Sequence, residues 1–469
     1  QARIAFEQAA TAIEAAMAKG DRREADRDFH FVMAAASYHL AHLSARAYSL
    51  LAIVAAEENF SPTERALALL MRRDIAALRG QVHGYRLGGL GSDARIAELI
   101  RERLGRAGAD AGPENHDFLF EGLDLALTDN FLGALASFLL AFDRGEPGLV
   151  DRAIGGLREG LAVCADLNLL PQWWSHRVAI HLLSDLWSNS FHAKLPLFPA
   201  GSAAPDWLRL RELFIASLGR RAKAEVDLWP SQIAAAARAV DDTDDLVVSL
   251  PTSAGKTRIA ELCILRCLAS GRRVMFVTPL RALSAQTEMT LQRSFGPLGK
   301  TISALYGSIG VSGLDEDALR GRDIVVATPR KRDLPLGHDA SLLDTRIAMT
   351  TEKRERTIVA PTPEKLDFAL RNDASLLDNV GLLVFDEGHM IGPGEREVRY
   401  EVQIQRLLRR GDADQRRIVC LSAILPDGDQ MEDFAAWLRR DRPGGPIQHD
   451  WRPTRLRFGE VIWNARTAR

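Results

Sequence analysis

Between Asp245 and Thr257 the chain reads DLVVSLPTSAGKT: a short β-branched apolar run, a loop of small residues, then Lys-Thr opening a helical segment. A strand that passes through such a loop straight into a helix is the architecture of a phosphate-binding loop. Thr252, Ser253, Ala254 and Gly255 are small enough for backbone N–H groups to close around phosphate oxygens. Lys256 reaches the β- and γ-phosphates, and the Thr257 hydroxyl takes Mg²⁺. The helix that begins there adds its N-terminal partial positive charge. The common pattern G-x-x-x-x-G-K-[ST] would place Gly where this chain has Leu250, so the loop alone leaves the family open.

Around this loop the pattern alternates. The runs Leu246–Leu250, Val274–Val277, Ile302–Leu305, Ile324–Ala327, Leu382–Phe385 and Ile418–Leu421 are short and β-rich, with amphipathic helical stretches between them. That alternation implies an α/β domain, a parallel sheet with helices on both faces. Ligand then belongs at the carboxyl ends of the strands, where the phosphate loop lies.

The preceding chain is different. Residues 1–191 are rich in Ala and Leu at helical spacing; Phe131, Leu135, Phe138 and Phe142 form one stripe, and Ile154, Leu157, Leu161 and Cys164 another. Breaks fall at Gly20, Gly88–Ser92, Gly105–Pro113 and Gly145–Gly148. An all-α N-terminal domain follows, either a bundle or a solenoid, since no repeat of fixed period is present. Trp173, Trp174 and Trp187 are read as core between packed helices, with base stacking or partner anchoring as the rival. Residues 192–225, with Pro196, Pro199 and Pro205, are expected to be a linker and connecting helix, and 226–469 the α/β domain.

At 469 residues the chain is expected to hold about two or three domains. Lys and Arg number 60 against 62 Asp and Glu, so no global basic field is present and any polyanion contact must come from a local groove. The 4 cysteines include no C-x-x-C pair, which points to a reduced, cytoplasmic protein. Cys263 and Cys267 share a helix face; packing of small apolar residues is the first reading, a metal or disulfide site the second. No apolar run is expected to reach the ~18 residues of a membrane span.

Leu383 to Met390 reads LVFDEGHM, an apolar strand delivering two carboxylates at its end, about 130 residues after the phosphate loop. Asp386 is placed to hold Mg²⁺ through its water shell, and Glu387 to orient and deprotonate the water attacking the γ-phosphate. A solvated strand terminus is the competing explanation. Lys256 and Thr257 upstream favour the catalytic one.

With these residues in order the chain resembles a superfamily 2 helicase of the DExH type, in the superkiller-like branch, whose α/β domain is a RecA-like P-loop lobe. Trp229-Pro230-Ser231-Gln232 resembles the motif whose Gln, here Gln232, reads adenine. PTSAGKT resembles that branch's first motif, in which Gly at position 250 is not required. Thr278 to Gln286, with Pro279 and Arg281, and Thr362 to Asp367, with Pro363, resemble motifs that contact the nucleic-acid backbone. Asp386 to His389 resembles the second motif, and Ser422-Ala423-Ile424 the third. The resemblance implies that His389 and Ser422 couple nucleotide state to nucleic-acid grip. It implies ATP and Mg²⁺ as ligands, and single-stranded or duplex nucleic acid as partner, DNA ahead of RNA. Strand ends and helix starts suit phosphate oxygens without reading sequence.

Two features depart from that resemblance. Arg330 to about Pro361 reads as an insertion, since joining Pro329 to Glu364 would restore one motif, DIVVATPEKLDFALR. After Ser422 no stretch resembles the Q-x-x-G-R-x-x-R motif that supplies arginines to the γ-phosphate. The chain is therefore expected to hold the first motor lobe alone and to be inactive in turnover by itself. A helical domain ahead of such a lobe resembles the helicase subunit of bacterial antiphage systems such as Hachiman, which pairs with a separate nuclease-like effector. That implies a protein partner on the helical domain and no membrane. The rivals are a signalling or scaffold ATPase whose turnover ignores nucleic acid, and a docking piece.

Overall fold

The computed structural model describes residues 1–20, 26–53, 60–87, 97–98, 115–278, 281–305, 324–327, 370, 374–388, 394–423 and 428–452. The chain divides into two units: Gln1–Ser188 with Gly219–Val226 and Arg452–Arg469, and Asn189–Leu218 with Asp227–Trp451.

The first unit is helical among its described residues: α1 (Ala2–Lys19), α2 (Arg27–Leu40), α3 (Ser44–Ile53), α4 (Pro62–Met71), α5 (Ile75–Leu87), α6 (Asn115–Arg144), α7 (Pro147–Asp166) and α8 (Leu170–Ser188). Local chemistry sets several ends. Ser61 and Glu64 form a reciprocal capping box at α4, with Pro62 in its first turn. Gly145, at φ 69°, closes α6 one residue before Glu146 and Pro147 start the next helix. Of the two stripes read from the sequence, Phe131, Leu135, Phe138, Leu157 and Cys164 are fully buried, and Phe142, Ile154 and Leu161 are partly buried against the same core. Helix α2 touches α1, α3, α4 and α8. A solenoid helix meets only its neighbours in the stack, so this is a bundle around one core.

One expectation about apolar runs is corrected here. The stretch Phe120–Arg144 within α6 is long and apolar enough by length and composition to cross a membrane, with a mean hydropathy of 1.6, yet half of that window is buried within the protein. Its Asp residues break the run in the linear sequence, and the helix buries part of its apolar surface against neighbouring helices. Trp187 packs against Phe142 in the core, whereas Trp174 is half exposed.

Among its described residues the second unit holds a seven-stranded parallel sheet, order β3-β4-β2-β5-β6-β1-β7. Its strands are β1 (Leu246–Ser249), β2 (Arg273–Val277), β3 (Ile302–Leu305), β4 (Ile324–Ala327), β5 (Val380–Phe385), β6 (Arg417–Ser422) and β7 (Ile447–Gln448). Its helices are α9 (Phe191–Lys194), α10 (Trp207–Gly219), α11 (Pro230–Ala239), α12 (Lys256–Ala269), α13 (Arg281–Phe295), α14 (Glu395–Leu408) and α15 (Asp429–Arg439). Two separate apolar clusters, one containing α12 and the other α14, lie on opposite faces of β1, β2, β5 and β6. A sheet covered on both faces accounts for strands without a polar face. The register is Val247 beside Cys420 and Phe385 beside Cys420, so β6 lies between β1 and β5.

The proline-marked segment after residue 191 is not a loose tether. Trp207, Leu210, Phe214 and Leu218 are buried in the same cluster as α12. Arg211, itself buried, donates to the carbonyls of Leu195 and His192, and Trp207 Nε1 to that of Pro196. Residues Arg258 to Ala269 of α12 are all buried, Cys263 and Cys267 among them as free thiols, which is the packing reading of that pair. The region around 330–361 lies outside the described residues.

Candidate nucleotide site

Strand β1 ends at Ser249 and the chain turns through Leu250 to Gly255 into α12. Leu250 explains the missing glycine. Its side chain is buried in the core, while its N–H donates to Ser422 O at 3.1 Å and its carbonyl accepts from Lys256 Nζ at 3.1 Å. The loop uses only the backbone of this residue, so the side chain is free to be apolar. Ser253 (φ 65°) and Gly255 (φ 94°) adopt left-handed conformations that fold the loop back over itself. A Cβ on residue 255 would meet the Gln232 amide, and φ 94° strains any residue with a side chain, so the position calls for Gly. Thr252, Ser253 and Thr257 are exposed; Ala254 is buried.

Strand β5 delivers the acidic pair beside this loop. Asp386 N–H donates to Val277 O at 2.9 Å, and Asp386 Oδ1 accepts the Glu387 N–H at 3.0 Å. Glu387 sits at φ 53°, a strained conformation for a residue with a side chain, of the kind functional turns hold. Gly388 then closes the turn: its N–H donates to Leu421 O at 2.8 Å, and any Cβ would overlap Cys420 Sγ. The end of β6 therefore hydrogen-bonds both halves of the site, Leu421 to the acidic turn and the fully buried Ser422 to the phosphate loop. From behind, Tyr400 on α14 lies edge-on to Phe385 with its hydroxyl 3.4 Å from the Asp386 carbonyl.

The electrostatics of the site are set by burial of three facing charges. Burial lowers the Lys256 ammonium below its ordinary value, and Glu387 and Asp386 facing it pull it partly back. Burial, reinforced by repulsion from Glu387, pushes Asp386 up to about 6. A cationic group beside the carboxylates and an anionic one over the loop would relieve both. That donor set fits a nucleotide polyphosphate with a divalent cation: loop N–H groups and Lys256 for phosphate oxygens, Thr257 and Asp386 for Mg²⁺.

The structure brings Lys256, Thr257, Asp386, Glu387, Gln232 and Ser422 to one edge of the sheet. Gln232, buried at the start of α11, accepts the Trp229 N–H at 2.9 Å and sits 3.5 Å from the Gly255 carbonyl. Thr278 is fully buried at the end of β2, while Gln286 is exposed on α13. Arg281 opens α13, with its side chain outside the described residues; Pro279, Thr362, Pro363 and His389 also lie outside them. Sequence reasoning passed over Ser231, Tyr400 and Cys420. The one available signal was the polar Ser231 beside Gln232.

Residues 229–347 and 338–433 match the family profile described as DEAD/DEAH box helicase. Among curated proteins, the chain is similar to "Hachiman protein HamB" of Bacillus cereus, 26% identical over 305 residues, 64% of this chain and 23% of that protein. It is also similar to "ATP-dependent DNA helicase Hel308" of Pyrococcus horikoshii, 28% identical over 253 residues, 54% of this chain and 28% of that protein. The chain thus spans about a quarter of the length of these relatives. Among solved structures, the DUF1998 helicase MrfA bound to DNA aligns over 51% of this chain and 29% of its own at 18% identity, with a TM-score of 0.37, below the level that identifies a shared fold.

Proposed function

We propose that the protein is an ATP-dependent motor that translocates on or unwinds nucleic acid, a reading supported by the match of residues 229–347 and 338–433 to the DEAD/DEAH box helicase profile. The observation that carries this is the convergence of the Gly255–Thr257 loop and the Asp386–Glu387 turn on one sheet edge, both hydrogen-bonded to the end of β6. Loop N–H groups and Lys256 bind the polyphosphate, with Lys256 leaving the Leu250 carbonyl to do so. Glu387, aimed by its left-handed turn, takes the proton of the attacking water. Thr257 and Asp386 would hold Mg²⁺, which would supply charge neutralisation to the polyphosphate when bound. Gln232 contacts adenine with the amide capacity its helix cap leaves over.

Thr278, Pro279, Arg281, Gln286, Thr362 and Pro363 are proposed to contact the nucleic-acid backbone, with DNA ahead of RNA. His389 and Ser422 are proposed to couple the two ligands. For Ser422 the support is physical, because its carbonyl holds the phosphate loop while Leu421 beside it holds the acidic turn. The likeness to HamB supports an antiphage role, with a nuclease-like effector meeting the helical unit, inside the cell where nucleic acid is reached. The proposed domain plan is 1–191 helical, 192–225 a linker and connecting helix whose helix α10 packs into the core of the sheet unit, and 226–469 motor lobe, with an insertion at about 330–361.

ATP hydrolysis by the full-length protein, measured alone and with single-stranded DNA, duplex DNA and RNA, tests the proposal. Stimulation by a nucleic acid is expected. Turnover indifferent to all of them would replace the motor with a signalling ATPase.

A further inference from the structure

Backbone carbonyls are the hazard in a loop that must hold an anion, because any carbonyl aimed at a phosphate repels it. In this loop three are held by side chains. Leu250 O receives Lys256 Nζ at 3.1 Å, and Gly255 O faces Gln232 Nε2 at 3.5 Å while also accepting the Arg258 N–H at 3.0 Å. Ala254 O receives the hydroxyl of Ser231 at 2.6 Å, the shortest of the three, and Ser231 is wholly buried.

The consequence follows from peptide geometry. In a trans peptide the C=O of one residue and the N–H of the next point in opposite directions. A hydroxyl that holds Ala254 O toward α11 therefore turns the Gly255 N–H the other way, away from α11. Gly255 at φ 94° allows the chain to leave that peptide plane into α12.

We propose that Ser231 is a positioning residue for polyphosphate: its buried hydroxyl fixes the Ala254–Gly255 peptide so that the Gly255 N–H faces the phosphates. This rests on the reading of the site as a nucleotide site. Ser231 touches no ligand; it acts through the loop. An ordinary first-turn serine would cap or solvate its helix and leave the loop alone, whereas this one spends its donor on a carbonyl 23 residues away.

The test compares Ser231→Ala with Ser231→Thr in the full-length protein, measuring binding of Mg·ADP and of inorganic tripolyphosphate by calorimetry, and melting without ligand. Ser231→Ala is expected to weaken both ligands about tenfold, with turnover at saturating ATP within about twofold, because the oriented N–H serves ground and transition states alike. Ser231→Thr, which keeps a hydroxyl, is expected to bind within about twofold of the wild type. A role in stability alone would lower the melting temperature of Ser231→Ala and leave both dissociation constants unchanged, which overturns the proposal. So does equal weakening by Ala and Thr. If Ser231→Ala does not fold, Ser231→Cys replaces it, with a weaker donor and an intermediate loss expected; unchanged affinity there also overturns the proposal. A wild type that binds neither ligand overturns the nucleotide reading itself.

Discussion

The two edges of the parallel sheet use the same kinds of residue for opposite ends. At the amino edge, charge is spent on structure. Arg417, buried, donates to the carbonyls of Asp244, Ala239 and Arg238, each at 2.7 Å, and so caps the C-terminus of α11 with a cation. Asp245 accepts the Ile418 N–H at 2.7 Å, and Asp244 is shared by Arg238 and Arg439. At the carboxyl edge, Asp386 and Glu387 are left side by side, Lys256 rests on a carbonyl, and Ser253 and Glu387 are in left-handed conformations. Dense pairing with arginine marks the edge that holds the fold together, although burial still pushes the Asp245 carboxyl up. Two adjacent carboxylates, one of them pushed up by burial, mark the edge proposed to receive a ligand.

The largest break in that contrast should come at the carboxyl edge without any loss of fold. Glu387→Gln keeps the turn and removes the proton acceptor, so turnover should fall by about 10²- to 10⁴-fold while Mg·ATP affinity stays near wild type. Lys256→Ala should instead weaken nucleotide binding itself. Steady-state ATPase rates with equilibrium binding separate the two; equal loss of binding in both variants would mean the roles are assigned wrongly.

Leu250 separates the edges within one residue, its backbone serving the site and its side chain the core. Leu250→Gly, which writes the common loop pattern into this chain, should destabilise the second unit by about 4 kcal/mol, from the lost apolar burial and the added backbone freedom. Nucleotide affinity in the folded fraction should be unchanged. Denaturant unfolding and nucleotide titration measure the two halves. A gain in affinity would show that the glycine was wanted after all.

This residue also marks how far the sequence could be read. The strands were legible to within one or two residues because buried parallel strands are continuous apolar runs; β7, two residues long, has no periodicity to find. Lys256, Thr257, Asp386 and Glu387 were legible because their chemistry needs those residue types. Prolines suggested a linker at Pro196–Pro205, but Trp207 and Phe214 nearby belong to the core of the sheet unit. What aims the site was not legible. Ser231 on Ala254 O, Gly388 against Cys420 and Tyr400 behind Asp386 join residues far apart in sequence, and nothing local announces a tertiary hydrogen bond.

At the amino edge, Arg417→Met keeps the aliphatic bulk and removes the donors to three carbonyls. It should destabilise the protein by about 3 kcal/mol, with nucleotide affinity unchanged in the folded protein. Arg417→Lys, a single point charge in place of a planar fork, should recover only part of that. Urea unfolding monitored by tryptophan fluorescence reads both, and an Arg417→Met protein of wild-type stability would remove the structural role given to this edge.

The smallest effect is a difference in sign. Asp386, pushed up to about 6, binds a proton in the native state that the unfolded chain has released, so its contribution to stability falls as pH rises from about 4 to 6. Burial pushes Asp244 up as well, but the hydrogen bonds and charges of Arg238 and Arg439 outweigh it and hold its carboxyl below the ordinary range. Its stabilisation is present above about pH 4 and is lost as pH falls through its lowered folded value. In the nucleotide- and metal-free protein at pH 7.5 (roughly the conditions of assay), Asp386→Asn should therefore be more stable than wild type, on the order of 2 kcal/mol, and the gain should vanish near pH 4. Asp244→Asn should be less stable at the higher pH and converge on wild type in acid. Two stability profiles that slope the same way would erase the distinction between the edges, because it requires one carboxylate kept for a ligand and the other already matched by arginine.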